Sequence, residues 1–121
     1  MSLMVMYYHM VVDELDDVFH ALADGTRRDI VVRTLQNEYS VSALSRLYPM
    51  TFAAVQKHVA VLERAALVTK RRSGREQLVT GNVATVRRAA RLLDQLELIW
   101  RARMDRFGEI LAEDPRPGDP A

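Results

Sequence analysis

Two short amphipathic segments, separated by a tight turn, constrain the fold of this chain more than any other feature. Ser40 precedes a segment that reaches Leu47, and Thr51 precedes a segment that ends near Ala65. Both segments are predicted to be helices, because the hydroxyl of Ser or Thr at such a position accepts a hydrogen bond from a first-turn N–H group. Two helices joined by a three-residue turn over 48–50 have the spacing of a helix-turn-helix. The residues expected to face the core are Leu44, Leu47, Val55, Val59 and Leu62.

Two further helices are predicted ahead of this unit. Residues 14–23 carry apolar side chains three, four and seven positions apart, which is the pattern of an amphipathic helix. Asp24 is suited to cap a second helix that runs to about Asn37, because its carboxylate accepts hydrogen bonds from the free N–H groups of a helix start. The inward face of this second helix is expected to comprise Ile30, Val31 and Leu35.

After the helix-turn-helix, the period of the apolar residues changes from helical to two. Residues 67–72 and 75–80 are therefore predicted to be strands, joined by a tight turn at Ser73-Gly74. A helix-turn-helix followed by a hairpin is the winged-helix arrangement, in which one helix enters the major groove of DNA and the hairpin, or wing, reaches along the backbone. The expected fold is mostly α with a small β-hairpin, a winged helix-turn-helix with a long C-terminal helix used for dimerisation.

The last predicted helix is long, from about residue 83 to residue 112. Leu93, Trp100 and Phe107 fall seven positions apart in it. At ~1.5 Å per residue such a helix extends for about 45 Å, more than a domain of this size covers by itself. Its apolar seam predicts a partner helix, most simply that of a second copy, so a homodimer is expected. The predicted dimer interface comprises Leu15, Phe19, Leu93, Leu96, Trp100, Met104 and Phe107.

Charge is distributed unevenly, although the formal net charge is only +1. Residues 1–55 carry four basic and seven acidic side chains, and residues 92–121 carry the same numbers, so each block has a net charge of −3. Residues 56–91 carry nine basic and two acidic side chains, a net charge of +7. Ordinary surface charge on a solvated hairpin is one explanation. Joined to the helix-turn-helix spacing, the basic block favours double-stranded DNA as the partner, with salt-dependent binding.

Eight residues in and beside the basic block are predicted to bind DNA. Gln56 and Lys57 lie outside the apolar stripe of their helix and are expected to face the groove, with plain solvent exposure as the alternative. Thr51 is first a helix cap, whose hydroxyl can also reach a phosphate. His58 either contacts DNA or packs at the edge of the helix. Because side chains alternate across a strand, at least two of the four wing cations should reach phosphates. The predicted set is Thr51, Gln56, Lys57, His58, Lys70, Arg71, Arg72 and Arg75.

Two stretches of the chain are specific in combination, ALADGTRRDIVVRTL and SVSALSRLYPMTFAAVQKHVAVLERAALVTKRRSGREQLV. The first resembles the second-helix signature of ArsR-type (ArsR/SmtB) winged-helix transcriptional regulators, and the second resembles that family's helix-turn-helix and wing. The resemblance covers roughly residues 13–112. It implies a dimeric bacterial repressor that binds a palindromic operator.

Three positions depart from the family pattern. Gly25 stands where Pro is usual, Gln56 where Ser is frequent, and Ala66 where Gly is frequent. Gln56 is a candidate for altered base preference, because Gln can bond adenine in bidentate fashion. Ala66 puts in doubt a left-handed backbone at that turn, because Ala tolerates this conformation poorly.

The chain has no cysteine, which excludes disulfides and thiolate metal sites and fits a reducing, cytoplasmic setting. Metal-sensing members of the family carry cysteines in the third helix, where this chain has VSALSRLYPM, or carboxylate and histidine pairs on the last helix. Here Asp94 and Glu97 are three positions apart without a histidine, a poor set for a transition metal. We expect no metal site and no cofactor, and the sequence does not identify a small-molecule effector.

Other function classes fit the sequence less well. No nucleophile motif, glycine-rich phosphate loop or HExxH occurs, so the chain is not expected to be an enzyme. No apolar run reaches the ~18 residues that span a bilayer, so no membrane partner is expected. A winged-helix module that binds proteins is the alternative, and it predicts no sequence preference over bulk DNA. The expected organisation is an N-terminal extension over 1–12, a winged helix-turn-helix domain over 13–112 and a disordered tail over 113–121.

Overall fold

The computed structural model describes residues 15–113 of the 121-residue chain. The predicted extension over 1–12 and all but the first residue of the predicted tail over 113–121 lie outside the described residues. The predicted class, mostly helical with a small antiparallel sheet, is confirmed. The elements of the described part are α1 (15–22), α2 (Gly25–Gln36), β1 (Tyr39–Ser40), α3 (Val41–Ser45), α4 (Phe52–Arg64), β2 (Val68–Ser73), β3 (Glu76–Gly81) and α5 (Val83–Glu113).

The helix-turn-helix consists of α3, α4 and the turn between them. Ser40 caps α3 and Thr51 caps α4, as predicted, and each hydroxyl oxygen accepts a hydrogen bond from the N–H group three residues further on, at 3.0 Å and 3.1 Å. These bonds satisfy donors that a helix start leaves without an intrahelical partner. Four of the five predicted inward residues are buried, namely Leu44, Val55, Val59 and Leu62.

The turn between α3 and α4 differs from the prediction at Leu47. This residue was expected to face the core, but α3 ends at Ser45 and the Leu47 side chain is 43% exposed. A residue that precedes a proline disfavours the helical backbone, so Pro49 prevents α3 from continuing through the turn. Tyr48 and Met50 pack against the core from the turn instead.

The end of α4 has a left-handed residue, Ala66, with φ of 59°. Its N–H donates to the Glu63 carbonyl, and the next N–H donates to the Leu62 carbonyl, both at 2.9 Å. This pair of bonds is a Schellman motif, in which Gly usually occupies the left-handed position. The Ala66 carbonyl accepts hydrogen bonds from Asn82 Nδ2 at 3.0 Å and Thr85 Oγ1 at 2.6 Å. These four contacts hold the unusual backbone, so the left-handed turn that the sequence left in doubt is present.

The hairpin of β2 and β3, which we call the wing, has its turn one residue later than predicted. Ser73 pairs with Glu76, so the two turn residues are Gly74 and Arg75 rather than Ser73 and Gly74. The φ of Gly74 is 62°, and a two-residue hairpin turn needs a positive φ at its first position, which Gly adopts most easily. Both strands are shifted accordingly. β1 pairs with β3 as a third strand that the sequence did not predict, giving the order β1-β3-β2.

The start of α2 is as predicted, and Ile30 and Val31 of its predicted inward face are buried, but the third predicted residue is not. Asp24 accepts a hydrogen bond from the Arg27 N–H at 3.0 Å, and this bond lowers the pKa of the Asp24 carboxyl. Leu35, expected to face the core, is exposed, whereas Thr34 is buried and its hydroxyl donates to the Ile30 carbonyl at 2.7 Å. A helical Thr satisfies its hydroxyl in this way without leaving the core, so apolar periodicity passes over it.

The chain divides into two compact units, residues 1–89 and residues 90–121. In the described part of the first unit, α1 to β3 and the start of α5 enclose one apolar core, whose largest fully buried side chains include Ile30, Leu44, Leu62 and Leu67. In the described part of the second unit, residues 90–113, α5 continues with almost every side chain exposed. None of the described helices is long and apolar enough to cross a membrane.

Candidate nucleic-acid interface

The exposed face of α4 carries the residues that were predicted from the sequence to face the DNA groove. Gln56 and Lys57 are exposed, whereas Val55 and Val59 on the other side of the helix are buried. Thr51 is exposed at the helix start, where its oxygen accepts the capping bond. A hydroxyl also carries one donor, so the Thr51 O–H is suited to a phosphate oxygen.

An open groove, the α4–wing groove, lies between the helix-turn-helix and the wing. Gln56, Lys70 and Arg75, three of the predicted DNA-binding residues, line it. Phe52 and Gln77 line it as well, although sequence reasoning did not select them. Phe52 lies four positions before Gln56, a spacing that places two residues on one helix face. The place of Gln77 depends on strand register, which the sequence did not fix.

Two of the four wing cations form ion pairs within the protein. Lys70 Nζ lies 3.4 Å from Glu63 of α4, and Arg71 Nη2 lies 2.8 Å from Glu38. The Glu38 carboxylate also accepts a hydrogen bond from Thr80 Oγ1 at 2.9 Å, and this bond, together with Arg71, lowers the pKa of Glu38. Exposed pairs of this kind stabilise little. Their consequence here is that Lys70 and Arg71 have acidic partners before any DNA is bound.

The other two wing cations lie at the tip of the hairpin. Arg72 pairs with Gln77 across the strands, and its Nε lies 3.4 Å from the Gly74 carbonyl oxygen. Because side chains alternate along a strand, Arg72 shares a face with Lys70, the face turned to α4, whereas Arg71 has the opposite face. Arg75 is a turn residue that lines the α4–wing groove. Both Arg72 and Arg75 are exposed, so they are the wing cations best placed to meet phosphates.

His58 is half-buried and faces α2. Its Nδ1 lies 3.3 Å from Arg27 Nη1. A guanidinium only donates, so Nδ1 is the acceptor in this hydrogen bond. Arg27 and Arg28 also donate to carbonyl groups in the last turn of α1, at 2.7–3.2 Å, where a helix end leaves acceptors unsatisfied. The packing alternative for His58 is present, and a DNA contact through Nε2 stays a prediction.

The predicted dimer residues are found in both units. In the first unit, Phe19 is exposed and Leu15 is half-buried on α1. In the second unit, Trp100 is 55% exposed, and the Arg103 guanidinium carbon lies 5.8 Å from the centre of its ring. An amphipathic helix of this kind gains most of its stability from packing of its apolar face. The other predicted residues of the second unit are also exposed, namely Leu93, Leu96, Met104 and Phe107.

The acidic pair on α5 does not assemble into a larger ligand set. Within residues 15–113, no cluster of three or more His, Cys, Asp or Glu side chains is suited to hold a metal ion. Glu97 forms an ion pair with Arg101 one helical turn away. Half of the Asp94–Glu97 pair is therefore engaged with a cation of its own helix.

Comparisons with known proteins find similar transcriptional regulators. The chain is 31% identical over 96 residues to the HTH-type transcriptional regulator Rv2034 of Mycobacterium tuberculosis, a match that covers 79% of this chain and 87% of that protein. A solved ArsR-like transcriptional regulator from Rhodococcus sp. RHA1 is 30% identical, with a TM-score of 0.73, over 82% of this chain and 93% of the other. The chain belongs to the ArsR family of transcriptional regulators. No family model matches it.

Membership of this family confirms the resemblance and the winged helix-turn-helix fold. A homodimeric winged helix-turn-helix DNA-binding domain, Mb0332 from Mycobacterium bovis, has the same fold in solution, with a TM-score of 0.62 and 24% identity over 74% of this chain and 83% of that one. α3 and α4 of the ArsR-family regulator are therefore its helix-turn-helix, and β2 and β3 are its wing. The long C-terminal helix expected from the sequence is present as α5.

Proposed function

We propose that this regulator is a homodimeric repressor that binds a palindromic operator through α4 and the wing. The α4–wing groove is the observation that supports this function best. Gln56 of α4 and Arg75 of the wing line the same groove, and the neighbouring residues Lys57 and Arg72 are exposed. The wing side of this groove carries two cations, Lys70 and Arg75, against one carboxylate, Glu76. A reading helix beside a wing with an excess of positive charge matches a base edge flanked by phosphates.

The residues of the interface have distinct roles in this proposal. Gln56 bonds a base edge, with adenine as the partner that its amide fits best. Lys57, Arg72 and Arg75 neutralise phosphates, and the Thr51 hydroxyl donates to one. Lys70 and Arg71, predicted from sequence to bind DNA, contribute less to phosphate binding, because an acidic partner within the protein already neutralises each of them. His58 links α4 to α2 through the contact of its Nδ1 with Arg27, which leaves Nε2 as the ring nitrogen for a DNA contact.

Dimerisation through the exposed seam of α5 gives the interface its symmetry. A symmetric pair of reading helices requires an operator with pseudo-twofold symmetry and half-sites about one helical turn apart. The similar domain Mb0332 is described as homodimeric, which supports the same assembly here. Trp100 is the chain's single tryptophan, so its fluorescence reports on burial of the seam. A blue shift of this emission with rising protein concentration, parallel to the mass measured by sedimentation, is the expected result.

The decisive experiment compares two sets of wing and helix substitutions. A Lys57→Ala and Arg72→Ala double variant should bind the operator at least about tenfold more weakly. Its plot of log affinity against log salt concentration should also be shallower by about 4, because a dimer loses four phosphate contacts at ~0.9 each. Arg71→Ala removes the same type of charge from the neighbouring position and is the control. Per residue replaced, its change in the salt slope should be less than half of the change in the double variant.

Unchanged affinity and salt slope in the double variant would contradict the proposed interface. Gel shifts of the unmodified protein against genomic fragments at physiological salt separate the proposal from the protein-binding alternative. The proposal predicts selective retention of fragments with a palindrome, whereas the alternative predicts no preference over bulk DNA. Transcription in vitro from a retained promoter should fall as protein is added, and a rise would contradict the repressor role.

A further inference from the structure

Phe52 lies at the end of α4 that is expected to approach the bases of DNA, but its side chain cannot form hydrogen bonds to them. It is the first residue of α4, directly after the Thr51 cap, and it is 45% exposed. The core side of α4 is occupied by other residues, because Val55, Val59 and Leu62 are fully buried. The Phe52 ring therefore lies outside the core and lines the α4–wing groove.

The N-terminal end of a recognition helix is the part that approaches base edges most closely. Most groups on those edges in the major groove are polar donors and acceptors, and thymine adds the C5-methyl group. An aromatic ring placed against polar edges would remove water from them without replacing the hydrogen bonds. Contact with a methyl group has no such cost, and Phe is among the residues that make it.

The neighbours of Phe52 in the groove sharpen this preference. Hydrogen bonding and charge are provided by other residues of the same groove, which include two amides, two cations and one carboxylate, namely Gln56, Gln77, Lys70, Arg75 and Glu76. Val41 and Val59 also line it, but both are buried and present almost no surface to a ligand. Phe52 is therefore the main apolar side chain that the groove exposes, and its ring is suited to contact a small apolar group of the ligand that enters.

We propose that Phe52 is a specificity-determining residue that contacts the C5-methyl group of a thymine in each operator half-site. The inference rests on the proposed function, because it requires α4 to enter the major groove. Phe52 and Gln56 are four residues apart, a rise of about 6 Å along the helix. The thymine therefore lies within about two base pairs of the base that Gln56 bonds, since successive base pairs are ~3.4 Å apart.

Removal of the methyl group from the DNA tests the inference directly. The operator is first selected from random sequence with the unmodified protein, and each thymine is then replaced by deoxyuridine, which keeps the same hydrogen-bonding edge. At one position in each half-site, deoxyuridine should weaken binding about 4-fold, the equivalent of ~0.8 kcal/mol for one buried methyl group. Replacement in both half-sites should weaken binding about 15-fold, the product of two such effects.

The protein partner of this effect is identified with variants. Phe52→Ala should bind the thymine and deoxyuridine operators within about twofold of each other, and Phe52→Leu should retain part of the discrimination. Leu47→Ala alters another exposed apolar residue of the helix-turn-helix, outside the residues that line the groove, and should retain the full ratio. The thymine should lie within about two base pairs of the base at which Gln56→Ala relaxes specificity.

The outcomes separate this inference from the proposed function. If the protein selects a palindrome but no deoxyuridine position weakens binding, the methyl contact is contradicted while the repressor proposal stands. The inference is also contradicted if a sensitive position exists but Phe52→Ala keeps its sensitivity. If no sequence is selected at all, the proposed function itself has failed.

Discussion

The two units of this regulator treat the same kind of side chain in opposite ways. In the first unit, Leu62 is fully buried and its apolar neighbours on α4 are enclosed with it. In the second unit, Trp100 and Phe107 are 55% and 58% exposed, although they continue an apolar seven-residue pattern. The first unit of a single chain encloses its own core. The described part of the second unit has an apolar face that residues 90–113 themselves do not enclose.

Leucine positions show the difference most clearly. Leu62 lies in a closed core, Leu96 lies on the exposed seam of α5, and Leu98, 63% exposed, lies off that seam. Residue type alone therefore does not reveal which leucine lies in the closed core, which lies on the exposed seam and which lies outside both.

Charged residues in the seam should dissociate the dimer. Replacing both Trp100 and Phe107 with Glu removes two aromatic side chains from the proposed interface, a loss of about 4 kcal/mol or more. The dissociation constant from sedimentation equilibrium should rise by at least about 1000-fold. Leu98→Glu introduces a single carboxylate on the same helix off the seam and should leave the dimer intact. Equal disruption by Leu98→Glu would show that the seam is not the interface.

Truncating one leucine in each unit should lower the free energy of unfolding by very different amounts. Leu62→Ala opens a cavity in the closed core and should lower the free energy of unfolding by about 3 kcal/mol. Leu98→Ala removes an exposed side chain and should change it by less than about 0.5 kcal/mol. Urea denaturation measures both values at one protein concentration. Similar losses for the two variants would mean that the second unit has a core of its own.

A polar cluster at the edge of the first unit should make its stability depend on pH. Asp29 accepts hydrogen bonds from the Tyr48 hydroxyl at 2.5 Å and from Arg33 Nε at 2.8 Å. The Tyr48 bond, followed by Arg33, lowers the pKa of Asp29 from its usual 3.8, and burial, followed by Asp29, raises the pKa of Tyr48 to about 12. A carboxyl with a lowered pKa stabilises the folded state above pH 3.8, and this stabilisation is lost as the pH falls through the lowered value.

Tyr48→Phe tests that dependence. The variant should lose about 1 kcal/mol or less at neutral pH, because the carboxylate is partly screened by solvent. The difference in the free energy of unfolding between this variant and the unmodified protein should shrink as the pH falls below 3.8. Below that pH, Asp29 becomes protonated in the unfolded state of both proteins. Urea midpoints over a pH series measure it. A difference that stays constant down to the acid limit would show that the hydroxyl acts through packing and not through the carboxylate.

The smallest effect is expected at the left-handed end of α4. Ala66→Gly relieves the steric cost of a positive φ, offset in part by the greater freedom of Gly in the unfolded chain, and should stabilise the protein by about 0.5 kcal/mol. Ala60→Gly, in the right-handed interior of the same helix, should instead destabilise it by about 1 kcal/mol. Thermal unfolding of the two variants should therefore shift in opposite directions.

Sequence patterns predicted the local structure well because local chemistry determines it. Ser40 and Thr51 cap their helices as expected, since a hydroxyl three residues before a free N–H group needs no distant partner. The seam of α5 followed from its period for the same reason. The predicted position of the wing turn was wrong by one residue, because strand register depends on which residues pair across the sheet.

The site was predictable as a region more than as a set of residues. The basic block indicated the wing, but only the fold brings Glu38 to Arg71 and Glu63 to Lys70. Phe52 was not predicted to bind DNA, because an apolar residue at a helix start is not a sequence signal for DNA binding. Its exposure is visible only in the folded structure, where other residues of α4 occupy the core. Ion pairing and exposure are tertiary properties, which periodicity and composition do not contain.

If the first unit reads DNA and the seam of the second unit pairs two copies, the operator is contacted symmetrically. Hydroxyl-radical footprinting on a selected operator should then show two equivalent protected patches about one helical turn apart for the unmodified protein. The Trp100→Glu and Phe107→Glu double variant should lose this paired pattern at the same protein concentration. A single asymmetric patch, or a paired footprint that the double variant leaves unchanged, would show that the seam does not pair two DNA-reading units.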